Sequence, residues 1–106
     1  MSDTEKLERA IINILSNAIR HAHSKVEIRC DVSEKEIEIA IHDDGDGIDE
    51  KDLPHLFERF YKGENGSSGL GLAISKDIVT GLGGRITAEN MLKPQHGAKF
   101  TIQMTR

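Results

Sequence analysis

Val26-Glu27-Ile28-Arg29-Cys30-Asp31-Val32-Ser33-Glu34-Lys35-Glu36-Ile37-Glu38-Ile39-Ala40-Ile41-His42 decides the fold class. Val26, Ile28, Cys30 and Val32 alternate with polar residues, and Ile37, Ile39 and Ile41 do so again after a short polar link. Successive side chains of a strand point to opposite faces, so each run predicts a strand with one apolar face. The link Ser33-Glu34-Lys35 predicts an antiparallel hairpin. Before it, Leu7, Ala10, Ile11, Ile14, Leu15 and Ala18 recur at helical spacing and predict a helix from Asp3 to His21, capped by Asp3 or Thr4. After it, Asp43 to Asp52 drops the periodicity in favour of acids and glycines, and Pro54 introduces a short helical turn over His55 to Tyr61. A second helix fits Leu70 to Leu82, ended by Gly81, Gly83 and Gly84, and alternating strands follow at Arg85–Asn90 and Lys99–Met104. The expected fold is α+β: a two-layer α/β sandwich, with helices covering a mixed, mostly antiparallel sheet.

The 106 residues supply one core of ordinary size, so a single domain over residues 1–106 is expected. Charged residues make up 30% and hydrophobic residues 37%, a balance that suits a soluble folded domain and not a disordered tail. The formal net charge of −4, with no basic run, argues against nucleic acid and against contact with an anionic membrane. Cys30 is the single cysteine, so no internal disulfide forms and a cytoplasmic setting is the default expectation. No segment has the roughly 18 apolar residues of a membrane-spanning helix, and Met1-Ser2-Asp3-Thr4 does not open a signal peptide. A membrane anchor of any parent protein is expected outside these residues.

Polar chemistry concentrates in three places. Asn13, Asn17, Arg20 and His21 form one stripe on the first helix. The wet face of an amphipathic helix accounts for such a stripe too, but asparagine is a mediocre helix former. An amide oxygen suits Mg²⁺ and a guanidinium suits phosphate. The second place is Asp43-Asp44-Gly45-Asp46-Gly47-Ile48, at the end of the second strand. An acidic turn is the plain reading. A calcium loop fails, because a pattern begun at Asp44 puts Asp49 where glycine is required and His55 where the bidentate glutamate belongs. A dinucleotide fingerprint fails at Glu50. What remains is an acid at a strand end, with glycines that let a flat ligand approach. The third place is Gly66-Ser67-Ser68-Gly69-Leu70-Gly71-Leu72-Ala73-Ile74, a glycine-rich entry to a helix, which serves as a simple turn or as an anion site. It is not a Walker A loop, since Leu72 stands where the lysine must be.

In this order the pieces resemble the catalytic, ATP-binding domain of sensor histidine kinases, in the superfamily with the ATPase domains of gyrase, Hsp90 and MutL. Asn13-Ile14-Leu15-Ser16-Asn17-Ala18-Ile19-Arg20-His21 resembles the N box, and Asp43-Asp44-Gly45-Asp46-Gly47-Ile48 the first glycine box. Leu56-Phe57-Glu58-Arg59-Phe60-Tyr61-Lys62 is similar to the F box, which separates histidine kinases from the other members. Gly69-Leu70-Gly71-Leu72-Ala73-Ile74-Ser75-Lys76 resembles the second glycine box. The resemblance spans nearly the whole chain and implies the Bergerat-type ATP-binding fold.

It also implies roles. Asn17 coordinates Mg²⁺, Asn13 lies beside it near the phosphates, and Arg20 contacts phosphate. Lys62 reaches toward the γ-phosphate, so that Asn17, Arg20 and Lys62 form the catalytic set. Asp43 binds the adenine amino group, Gly45 and Gly47 give the base clearance, and Ile48 lines the same site. Gly69, Leu70, Gly71 and Leu72 line the phosphate path, while Phe57 and Phe60 anchor the lid in an apolar groove. Three departures stand out. His21 occupies a place often held by an aromatic residue, where it can still stack; Ala98 stands where many relatives carry Thr or Ser; and Lys62 to Ser68 is short for a lid.

The resemblance further implies partners: a dimerisation and phosphoacceptor domain of the same kinase, carrying the acceptor histidine, and a response regulator reached through the full-length protein. None of His21, His23, His42, His55 or His96 lies in an acceptor motif, so the isolated domain is expected to be a monomer that binds Mg-ATP without phosphorylating itself. His21 and His23 lack a cysteine partner for a metal pair. Two alternatives stay open: a serine kinase of the anti-sigma-factor type, and a degenerate interaction module that no longer binds nucleotide.

Overall fold

The computed structural model describes residues 1–61 and 69–105, with backbone alone at 69 and 70. Helix α1 (Asp3–His21) is followed by strands β1 (Val26–Val32) and β2 (Glu36–Asp43), helix α2 (Gly69–Gly81), and strands β3 (Arg85–Asn90) and β4 (Ala98–Thr105). The cap of α1 is Ser2, one residue ahead of Asp3 and two ahead of Thr4, the expected caps. The Glu5 amide donates to Ser2 Oγ at 3.2 Å while the Ser2 amide donates to Glu5 Oε1 at 3.1 Å, a reciprocal pair that satisfies two end groups at once. Those bonds hold the Glu5 carboxyl below its ordinary range, the Ser2 backbone contributing most.

The strands run in the order β1-β2-β4-β3, and every pair is antiparallel. The sheet is therefore α+β as expected, and wholly antiparallel among the described strands. Register places Ile41 opposite Phe100 and Ile102 opposite both Ile39 and Ile86. Helices α1 and α2 pack on each other; α1 also covers β2, and α2 covers β3. The apolar stripe of α1 supplies buried Ala10, Ile14 and Ala18, and α2 supplies Leu72 and Val79. Ser75 joins the two helices, its buried hydroxyl donating to the Ala10 carbonyl at 2.9 Å.

Strand β1 behaves differently from its partner. Its alternation produces the hairpin, yet Ile28 and Val32 remain 53% and 57% exposed, because the main helix contacts reach β2 and β3 and not β1. The expected helical turn over His55 to Tyr61 is a single 3₁₀ turn at Leu53–His55 followed by separate turns. Pro54 at its first positions suits the start, but the hydrogen bonds do not settle into a continuous helix.

Candidate functional site

The polar stripe of α1 faces the start of α2. The side-chain amide of Asn13 donates to the Gly71 carbonyl at 3.3 Å, and one turn further on Arg20 donates to Asn17 Oδ1 at 3.2 Å. Asn13, Ser16, Asn17, Arg20, Gly71 and Leu72 line a partly open cavity of about 140 Å³. Residues four apart on a helix share a face, so the sequence spacing of Asn13 and Asn17 delivers both to one wall. Both are half-buried, whereas Arg20 is exposed. Among the described residues, a side chain added at Gly71 would meet nothing within 4 Å. Ser16 completes the lining and was not among the expected site residues; its place three residues after Asn13 was the available signal.

The acidic turn meets the other end of α1. Asp43 is only 2% exposed, and its Oδ1 accepts the Gly45 amide at 2.9 Å and the Ala98 amide at 3.4 Å. Its Oδ2 takes part in neither bond. Gly45 packs so closely on the His21 carbonyl that any Cβ would collide with that oxygen. Gly97, at φ 105°, lies against the Asp43 carbonyl in the same way, in a backbone region that disfavours other residues. Ala98 thus contributes a backbone donor to Asp43.

Asp44, the first residue past β2, bonds to a different segment from Asp43. It accepts the Ser24 hydroxyl at 2.5 Å and the amides of His23, Ser24 and Lys25 at 2.9 to 3.1 Å, tying the α1–β1 connection to the end of β2. The Ser24 hydroxyl, then the neighbouring amides, hold the Asp44 carboxyl far below the usual range. Ile48 is fixed by Asn90, whose side-chain oxygen accepts the Ile48 amide and whose NH₂ donates to the Ile48 carbonyl, both at 2.7 Å. Asp44, inside the first glycine box but given no role there, and Asn90, outside all four motifs, position the turn. A larger hollow of about 750 Å³, lined by Asp46, Gly47 and residues 90–97 other than Leu92, shares no lining residue with the asparagine cavity.

The F-box segment divides. The Phe57 ring meets Phe100 edge-on at 6.1 Å, with Lys76 Nζ 5.7 Å from its centroid, so it packs against the core. Phe60, by contrast, is 73% exposed with φ 64°. Without a continuous helical turn, residues three apart no longer share a face. Arg59 pairs with Asp77 of α2 at 2.7 Å, and the Tyr61 hydroxyl donates to buried Asp52 at 2.6 Å, a bond that, ahead of desolvation, raises the phenol above its ordinary range. Lys62 lies outside the described residues, and Gly69 and Leu70 are placed only by the helical backbone that opens α2.

Two helices on an antiparallel sheet, with an asparagine-lined cavity against the glycine-rich start of the second helix, define an ATPase-type domain. Residues 2–106 match the family described as histidine kinase-, DNA gyrase B- and HSP90-like ATPase, and the chain belongs to it. Among its relatives, the signal transduction histidine-protein kinase AfsQ2 of Streptomyces coelicolor is 39% identical, covering 96% of this chain and 20% of that protein. The sensor histidine kinase WalK of Bacillus subtilis is 36% identical, over 97% of this chain and 18% of its own length. The mycobacterial sensor histidine kinase MprB superposes with a TM-score of 0.87 at 29% identity, covering 99% of this chain and 75% of that one. The catalytic domain of histidine kinase ThkA superposes at 0.79 with 23% identity, covering 95% of this chain and 67% of that one, a likeness of fold. This is the ATP-binding domain type of sensor histidine kinases, and it spans about one fifth of the length of AfsQ2.

Proposed function

We propose that the chain binds Mg-ATP and presents the γ-phosphate to a histidine on a separate phosphoacceptor domain of a sensor histidine kinase. The observation that carries this reading is the convergence on α1: Asn13 touches Gly71 of the second glycine box, and the His21 carbonyl touches Gly45 of the first. One helix thereby forms a common wall for a phosphate end and an adenine end. The donor set fits both. Among the described residues no cluster of three His, Cys, Asp or Glu side chains could hold a metal. Mg²⁺ keeps most of its shell as water and phosphate oxygens, and a single amide oxygen from Asn17 suits that habit. When bound, Mg²⁺ supplies neutralisation of phosphate charge.

The chain's own residues do the positioning on which phosphoryl transfer depends. Asp43 offers a carboxylate oxygen to the adenine amino group while its other oxygen is held by two amides. Arg20, now on Asn17, has the reach and exposure to move onto phosphate. Gly47 and Ile48 border the base, Leu72 and the backbone of Gly69, Leu70 and Gly71 border the phosphates, and Lys62 approaches the γ-phosphate. Residues 1–106 form the nucleotide-holding unit, and the acceptor histidine and response regulator belong to the wider protein. No described helix is long and apolar enough to cross a membrane, and a cytoplasmic site, where ATP is available, is part of the proposal.

Calorimetric titration with ADP and a non-hydrolysable ATP analogue, with and without Mg²⁺, tests the reading. Magnesium-dependent binding is expected. No binding at millimolar nucleotide would overturn it in favour of an interaction module.

A further inference from the structure

We propose that His96 is a positioning residue for the Asp43 carboxylate, acting from the β3–β4 connection through Gly45; the inference rests on the ATP reading above. His96 lies in none of the four motifs. Its Nδ1 stands 3.0 Å from the Gly45 carbonyl oxygen. A carbonyl only accepts, so Nδ1 carries the proton and donates. The His96 main chain is itself held: His42 Nε2, from β2, stands 3.2 Å from the His96 carbonyl and donates to it by the same reasoning.

Gly45 needs an external hold. A residue without Cβ has the widest backbone freedom, and this one must keep its N–H aimed at Asp43 Oδ1, 2.9 Å away. The second donor to that oxygen is the Ala98 amide, two residues beyond His96. His96 therefore sits between the two donors that orient Asp43. It fixes one through its ring and is covalently close to the other. A second strap reaches the same turn from the α1–β1 connection: His23 Nε2 lies 3.0 Å from Asp46 Oδ1, and its ring centroid is 6.0 Å from that of His96. Removing the His96 ring leaves Asp43 in place but loosens the geometry in which its free oxygen meets a base. The phosphate end, on the Asn13–Gly71 side, is untouched.

The test compares wild type, His96→Ala and His96→Asn by calorimetric titration with ADP and with inorganic triphosphate, both with Mg²⁺. Asparagine places an N–H close to where Nδ1–H stood. The expected result is ADP affinity about fivefold weaker in His96→Ala, the loss of one hydrogen bond, with triphosphate unchanged and His96→Asn restored. A long-range ¹H–¹⁵N spectrum of the nucleotide-free wild type should show the neutral His96 ring protonated at Nδ1. Unchanged ADP affinity in His96→Ala, equal losses for both ligands, no rescue by asparagine, or a neutral ring protonated at Nε2 would each overturn the inference. A wild type that binds neither ligand defeats the ATP reading itself, and the inference with it.

Discussion

The side-chain amide of Asn13 on α1 donates to the main-chain carbonyl of Gly71 on α2, 58 residues later in the chain, at 3.3 Å. That bond places the asparagine stripe against the start of α2 and leaves Asn17, one turn on, with its amide oxygen toward Arg20 in the cavity between the helices.

Asn17→Ala is expected to weaken Mg-dependent nucleotide binding by at least about tenfold, or about 1.4 kcal/mol. The fold should persist, because alanine is the better helix former and, among the described residues, Asn17 makes its side-chain bond only to exposed Arg20. Titration with and without Mg²⁺, alongside far-ultraviolet circular dichroism, separates the two effects. Asn17→Asp, which keeps an oxygen at the position, should retain magnesium dependence. Equal affinity in wild type and Asn17→Ala would remove the residue from the site.

Asp43→Asn probes the base. The amide oxygen can still accept from Gly45 and Ala98, but an NH₂ then replaces the second carboxylate oxygen and faces the adenine amino group donor to donor. ATP affinity should fall by about 1–3 kcal/mol, with little change for inorganic triphosphate. Parallel titrations with the two ligands decide it; equal losses would mean that the acid does not read the base.

Local periodicity made the helices and strands legible, and so the asparagine stripe and the acid at the strand end were visible from spacing alone. The fixings of those groups were not. Asp44 reaches back 20 residues to Ser24, Asn90 reaches 42 to Ile48, and His96 reaches 51 to Gly45. Each depends on which strands become neighbours, which hydrophobic patterning does not encode residue by residue. Phe60, given its role by the resemblance alone, stands 73% exposed in a segment that turns without forming a helix.

Ser75→Ala should cost about 1 kcal/mol of stability. The hydroxyl is fully buried and donates to the Ala10 carbonyl, so the substitution removes a bond between α1 and α2 while opening little volume. Urea unfolding followed by circular dichroism measures the change as a lower midpoint at unchanged slope. A stability equal to wild type would show that helix packing alone holds the pair.

Asp44→Asn should lower thermal stability at neutral pH and lose that disadvantage in acid. In the folded chain the Ser24 hydroxyl and three successive amides lower the Asp44 pKa, whereas the unfolded chain titrates near the ordinary value of about 3.9. Below that value the unfolded state takes up the proton first, so stability falls as the pH drops toward the lower folded pKa. The contribution is therefore complete above about pH 5 and is lost progressively below about pH 4. Asparagine at this position does not titrate, and the remaining carboxylates are common to both proteins. Thermal melts of the pair at matched pH should show a gap in Tm that is constant from about pH 7 to about pH 5 and narrows below about pH 4. A gap that stays constant into acid would mean that the loop is held by packing and not by the Asp44 charge.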